Sequence, residues 1–283
     1  MKTKFRALLT VALFALAQSA LAAGGVAFIA NLKGEVTLDG TRRPALMAEL
    51  SKGQKIVLGK DASLSVMFIQ SGKEFALKGP GQFVVNSSDI SASIGATPAV
   101  HETEWRTNSQ VLVQVSQSSS ASIRMRRIGP VKADDKAAKL IYPTLGKVST
   151  LQPTFRWNAG EATSPFEFAI ALAADRGSPL NKAKVAGDSY HLPVTLKPDT
   201  EYAWTVTAAD TEIGNGVFRT LPQDAIRQAE KRKPREKAEF SDRLMYALML
   251  QEMGATQDAQ EIWSALAQER ADLPELAALS KGH

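Results

Sequence analysis

Only three histidines, His101, His191 and His283, occur in the 283 residues, and there is no cysteine. Metal ligation or nucleophilic catalysis by these groups needs a second ligand or a base at short spacing. None of the three histidines has another histidine that close, and the lack of cysteine excludes disulfides, thiol nucleophiles, zinc–thiolate sites and a lipobox cysteine for acyl anchoring. No glycine-rich phosphate loop is present. Carboxylates are plentiful, but no pair is set apart by its surroundings, as general acid and base work requires. This inventory predicts a protein that is not an enzyme and holds no cofactor and no metal.

Two stretches have composition suited to binding or hydrolysis. Gly187-Asp188-Ser189-Tyr190-His191 is similar to the Gly-Asp-Ser block of one hydrolase class. It falls in the middle of a predicted sandwich, however, where a polar turn accounts for it. Trp105, in the polar context His101 to Arg106, and the cations Arg124 and Arg126 are the candidate contacts for peptidoglycan or another envelope glycan. A tryptophan closing one end of a β core, and a basic strand edge that discourages sheet-to-sheet association, have the same composition.

The elements that must position these residues begin after a leader. Lys2, Lys4 and Arg6 precede an uncharged run from Ala7 to Ala17, and Ala20-Leu21-Ala22 supplies small residues for cleavage. Residues 1–22 thus read as a secretory signal peptide, and the run is short for a transmembrane span. Its removal takes the formal charge of +5 close to neutrality, so the basic balance is no argument for nucleic acid. An exported product, periplasmic or secreted, with no membrane span after cleavage is expected.

From Val26 to Asn86 short apolar runs alternate with glycine turns: Asp39-Gly40 as a two-residue hairpin turn, then Ser71-Gly72 and Gly79-Pro80-Gly81. Gly34-Glu35-Val36-Thr37-Leu38, Gly53-Gln54-Lys55-Ile56 and the strand pair around Ser71-Gly72 resemble the extracytoplasmic domain of the ferric-citrate sensor FecR family. The resemblance implies a β roll or sandwich over residues 23–128, with further strands around Val111 to Val115 and Ile123 to Ile128. It does not extend to the sigma-factor-regulating segment of that family, and so implies no such regulation. Residues 129–139, small and charged, read as a linker.

A second β domain is predicted over residues 140–221. Tyr202, Trp204, Val206 and Ala208 fall on one face of a strand, and Trp157 and Trp204 are candidates for a packed pair across two sheets. Leu196-x-Pro198-x-Thr200-x-Tyr202 resembles the fibronectin type III pattern, which implies a sandwich whose tyrosine hydroxyl bonds back to nearby backbone.

Residues 222–239 form a charged connector with a break at Pro234, and residues 240–283 change to helical periodicity. Gly254 stops the first helix, and Thr256 can cap the second through its hydroxyl. Ala247, Leu250, Gly254, Ala259 and Trp263 resemble one tetratricopeptide repeat. The first helix is apolar almost all round, so it must be covered either by the Ile226 helix and Leu276 to Leu279 or by a partner; Tyr246, Met249, Leu250 and Met253 are the candidate partner contacts. The expectation is a mainly β chain of two tandem antiparallel domains plus a small helical segment. It would act as a non-enzymatic envelope adaptor or sensor-type protein that binds another envelope protein, or alternatively as a glycan-binding module.

Overall fold

The computed structural model describes residues 25–40, 43–103, 105, 138–209 and 211–281. The chain folds into two units, Met1–Glu102 and Thr103–His283. The leader, the strands expected around Val111 to Val115 and Ile123 to Ile128, most of the linker, and Arg124 and Arg126 lie outside the described residues.

Among its described residues the first unit contains nine strands: β1 (Ala27–Lys33), β2 (Val36–Leu38), β3 (Glu49–Leu50), β4 (Lys55–Leu58), β5 (Ser63–Phe68), β6 (Lys73–Lys78), β7 (Gly81–Val85), β8 (Ile90–Ile94) and β9 (Ala99–Glu102). They form one sheet in the order β3-β1-β5-β6-β9 and another in the order β2-β4-β7-β8. Alternation decides which way side chains point. Leu64, Val66 and Phe68 of β5, Ile56 and Leu58 of β4, and Phe83 and Val85 of β7 are all buried, and most of the residues between them are polar or half-buried.

Asp39-Gly40 does have the left-handed backbone of a tight turn, φ 52° and 81°, yet it does not close a hairpin. Strand β2 pairs with β4, whereas β3 joins β1 in the other sheet. The reason is local: Lys55 N–H donates to the Asp39 carboxylate at 3.0 Å, and Asp39 N–H donates to the Lys55 carbonyl at 2.8 Å. These bonds seal the end of β2 onto β4 and send the following residues elsewhere. Ser71-Gly72, by contrast, lies between strands that do pair, β5 and β6.

Among its described residues the second unit contains β10 (Lys139–Tyr142), β11 (Lys147–Val148), β12 (Thr154–Asn158), β13 (Phe166–Leu172), β14 (Asn181–Val185), β15 (Ser189–His191), β16 (Glu201–Ala208) and β17 (Thr211–Thr220), then four helices. The sheets run β10-β12-β15 and β11-β17-β16-β13-β14, antiparallel except for the β11–β17 pair. An aromatic core lies between them. Phe155 of β12 meets Trp204 and Phe168 of the other sheet at ring-centroid distances of 4.7 and 4.8 Å, and Trp157 lies 6.5 Å from Trp204. Tyr202, 1% exposed, accepts a hydrogen bond from Lys197 N–H at 2.8 Å. The Trp204 indole N–H donates to the Pro143 carbonyl at 2.7 Å. Gly216 leaves room for that contact, since a Cβ there would lie 2.6 Å from the indole nitrogen.

The helices are α1 (Gln223–Arg232), α2 (Phe240–Glu252), α3 (Thr256–Glu269) and α4 (Pro274–Ser280). Helix α1 ends before Pro234, whose ring cannot continue it. Gly254, φ 83°, terminates α2, and Ala255 N–H returns to the Leu250 carbonyl at 2.9 Å. Thr256 does not cap α3: the cap position is Ala255, with no side-chain cap bond. Thr256 already lies inside the first turn, one residue too late to cap it. Among the described residues no helix is long and apolar enough to cross a membrane. The chain is therefore mainly β, with a small C-terminal helical segment.

Candidate functional site

Over residues 244–250 helix α2 is apolar all round, and there every side is covered. Phe240, Leu244, Met245, Tyr246, Ala247, Leu248, Met249 and Leu250 are all buried, and the helix lies against α1 and α3. Of the expected partner contacts, Tyr246 is 6% exposed, Met249 and Leu250 1% each, and Met253 is half-buried where the helix ends. These four do not make an open groove. Tyr246, Met249 and Leu250 are interior, and the covering elements come from this chain. Burial, reinforced by the Asp258 and Glu230 carboxylates, pushes the Tyr246 hydroxyl up to about 12.

Trp105 is likewise inside. It is 3% exposed, with the Arg232 guanidinium 5.2 Å from its ring centroid. Its side chain also bonds Asp242; as indole is only a donor, the carboxylate is the acceptor. Burial raises the Asp242 carboxyl above its usual range, and the bond from Trp105 partly offsets that rise. An indole so enclosed has no open face for a sugar ring, so the structure corrects the reading of Trp105 as a platform. Trp105 belongs to the second unit, as do Arg232 and Asp242.

The Gly187–His191 block is disassembled by its own strand. Asp188 offers its backbone carbonyl to Trp157 N–H at 3.0 Å, and the His191 ring meets Thr154 Oγ1 at 3.0 Å. Ser189 and His191 lie in β15, paired with Arg156 and Thr154. The imidazole is thus engaged by a neighbouring strand instead of activating the serine. Among the described residues no group of three or more histidine, aspartate or glutamate side chains could hold a metal ion.

What the fold does assemble is a seam between the β10–β11 corner and the first turn of α3. Asp258 receives three hydrogen bonds across it: from the Tyr142 hydroxyl at 2.6 Å, from Ser149 N–H at 2.7 Å and from Ser149 Oγ at 2.5 Å. Next to it, the Gln257 amide accepts from Thr144 N–H at 2.7 Å and donates to Thr144 Oγ1 at 2.9 Å and to the Ile141 carbonyl at 3.2 Å. Lys147 N–H donates to the Gly254 carbonyl at 3.1 Å, and Arg156 pairs with Glu261. Burial, then the Asp258 charge and hydrogen bond, raise the Tyr142 hydroxyl far above its usual range, with Arg156 opposing. Tyr142 therefore stays a protonated donor at any physiological pH.

The seam holds α3 so that its outer face is flanked by two grooves. One, of about 360 Å³, is lined by Leu145, Gln251, Gln260, Trp263 and Leu279 among others. The second, of about 510 Å³, is lined by Ile141, Arg156, Gln260, Ser264, Ala265 and Gln268 among others. Their rims expose apolar surface, Leu145 at 62% and Ile141 at 44%. The lining is amide, hydroxyl and apolar, and the charges of Arg156 and Glu261 are paired. Such a surface can hold an extended chain by hydrogen bonds and apolar contact.

Ser149, Gln257 and Asp258 did not stand out in the linear sequence, and Tyr142 did so only at the start of the second domain. Tyr142 and Asp258 are 116 positions apart and Ser149 and Asp258 109, and each has an ordinary local role. The one available signal was Asp258 in the first turn of a helix, where a carboxylate is favoured by the helix dipole in any case.

No family model matches the chain, and no curated protein matches it.

Proposed function

We propose that the protein is a non-enzymatic adaptor exported to the cell envelope, and that it engages a protein partner along α3. The observation that carries this reading is the pair of grooves about α3, with Leu145 and Ile141 exposed at their rims on a corner fixed by Asp258 and Gln257. Exposed apolar side chains held on a rigid corner favour association without a large ordering cost. The leader at residues 1–22 supports export. In the same reading, the first unit is a FecR-like domain and the second a fibronectin type III-like sandwich with a tetratricopeptide-like tail. The two-sheet strand order and the Tyr202–Lys197 bond support the second of these assignments. Burial of Trp105 leaves the glycan alternative without its aromatic contact.

The test is recovery of partners from an envelope extract by the intact chain and by a Leu145→Arg, Gln260→Arg variant. Both substituted positions are on the surface of the groove, so the variant keeps its thermal transition. A protein retained by the wild type and lost from the variant supports the proposal. Identical recovery by both removes the α3 grooves from it.

A further inference from the structure

Beyond the grooves, the strongest unassigned feature is a concentration of charge at and beyond the end of α1. From Lys231 to Lys237 the chain reads Lys-Arg-Lys-Pro-Arg-Glu-Lys, five cations against the single carboxylate of Glu236. Arg232 is engaged over the Trp105 ring. Lys231, Lys233, Arg235 and Lys237 are exposed, and among the described residues their side chains have no ion-pair or hydrogen-bond partner. Glu230, Glu236 and Glu239 are the exposed carboxylates nearby in sequence. Arg227 differs in being paired with Asp224.

Local structural roles do not account for the cluster. Cations in the last turn of a helix complement its dipole, which covers Lys231 and Arg232, but Lys233, Arg235 and Lys237 lie beyond the end of α1. Lysines on a sheet edge prevent strand pairing, but no strand is adjacent in sequence here. Ile226 and Ala229, 1% exposed each, fix the inward face of α1, and the segment that follows it carries its cations into solvent.

We propose that this segment is a binding site for an anionic lipid surface. Like-charged, unpaired cations concentrated in a few residues are attracted to such a surface roughly five-fold more tightly for each cation brought near it. Between Gln223 and Glu239 there is no aromatic residue. The stacking contacts with which basic segments hold single-stranded nucleic acid are thus missing, and the cluster has the chemistry of a headgroup-binding stretch. The choice of lipid rests on the exported reading; the site itself does not.

The experiment is co-sedimentation of the full chain with vesicles containing about a third anionic lipid, with zwitterionic vesicles alongside, at low and at high salt. Lys233→Glu, Arg235→Glu, Lys237→Glu is the companion variant. The basic leader is common to both proteins, so the difference between them reports on this cluster alone. The expected result is wild-type binding to anionic vesicles that is abolished at high salt and weakened on the order of a hundred-fold in the variant, with an unchanged tryptophan-fluorescence melt. Equal binding by variant and wild type, or no wild-type binding to anionic vesicles at low salt, overturns the proposal. Binding to an oligonucleotide in preference to anionic vesicles also overturns it and makes the site a nucleic-acid one. Failure of export would leave the vesicle result unaffected, so the two readings fail separately.

Discussion

Removing the Asp258 carboxylate should unfasten the helices from the sandwich, and the size of the effect follows from its contacts. Asp258→Ala deletes the acceptor of three hydrogen bonds, from Tyr142 Oη, Ser149 N and Ser149 Oγ. A bond to a charged group contributes about 1.5 to 3 kcal/mol when well buried. The carboxylate is only half-buried, so solvent screening brings each closer to 1 kcal/mol. The Tyr142 hydroxyl, on a residue 8% exposed, is left in a site with little access to water, which deepens the loss. The total is about 3 kcal/mol, or roughly 6 to 12 °C for a unit of this size. The assay is favourable because all four tryptophans, Trp105, Trp157, Trp204 and Trp263, lie in the second unit; fluorescence in a urea or thermal melt follows that unit without interference. A cycle with Tyr142→Phe should give a coupling of about 1 kcal/mol or more, since the two groups share one bond. Glu261→Ala provides the control, for its pair with Arg156 is half exposed and should contribute under about 1 kcal/mol. A loss below about 0.5 kcal/mol for Asp258→Ala, or strict additivity with Tyr142→Phe, would refute the idea that this carboxylate fastens the seam.

Trp105→Ala should destabilise the second unit by about 3 to 5 kcal/mol through the cavity it leaves, and a melt of that variant at wild-type temperature would contradict its interior placement. Tyr202→Phe removes the acceptor of Lys197 N–H and should cost about 1 to 3 kcal/mol, read by the same fluorescence transition; no change would argue against a structural hydroxyl. Alkaline stability follows from Tyr246. Its folded value of about 12 exceeds the ordinary value near 10, so the folded state holds a proton that the unfolded chain has released. Stability is fully present below about pH 10 and falls as pH rises toward 12, by roughly 2 to 3 kcal/mol. Tyr142 is shifted in the same direction and adds to the fall. Tyr246→Phe should flatten the pH dependence in that window, and an equally steep decline would place the titration elsewhere.

Much of the architecture was legible in the residues themselves. Alternation over Glu201–Ala208 specified a strand and its inward face, because side chains on a strand project with period two. The positions of Phe155, Trp157 and Trp204 on such strands put three large rings toward one core. Gly254 marked the end of a helix, and the all-round apolar character of residues 240–253 required cover on more than one side. What the residues did not specify was the identity of that cover. The same pattern in α2 fits a partner's surface or the chain's own helices, and only the placement of α1 and α3 against it made Tyr246, Met249 and Leu250 interior.

Sequence pattern by itself thus determined the β character of the chain, the strand at Glu201–Ala208 and the change to helices in the tail, since these depend on side chains a few positions apart. Tertiary structure decided the rest. Asp39-Gly40 has turn chemistry, but whether its flanking strands pair depends on where Lys55 lies. Trp105 has the composition of an exposed platform, but its burial depends on Arg232 and Asp242, more than a hundred positions later. The Tyr142–Ser149–Asp258 seam and the grooves beside α3 join segments equally remote. Such associations leave no local signature, because the energy that selects them comes from burial and hydrogen bonding between surfaces that exist only once both elements have formed.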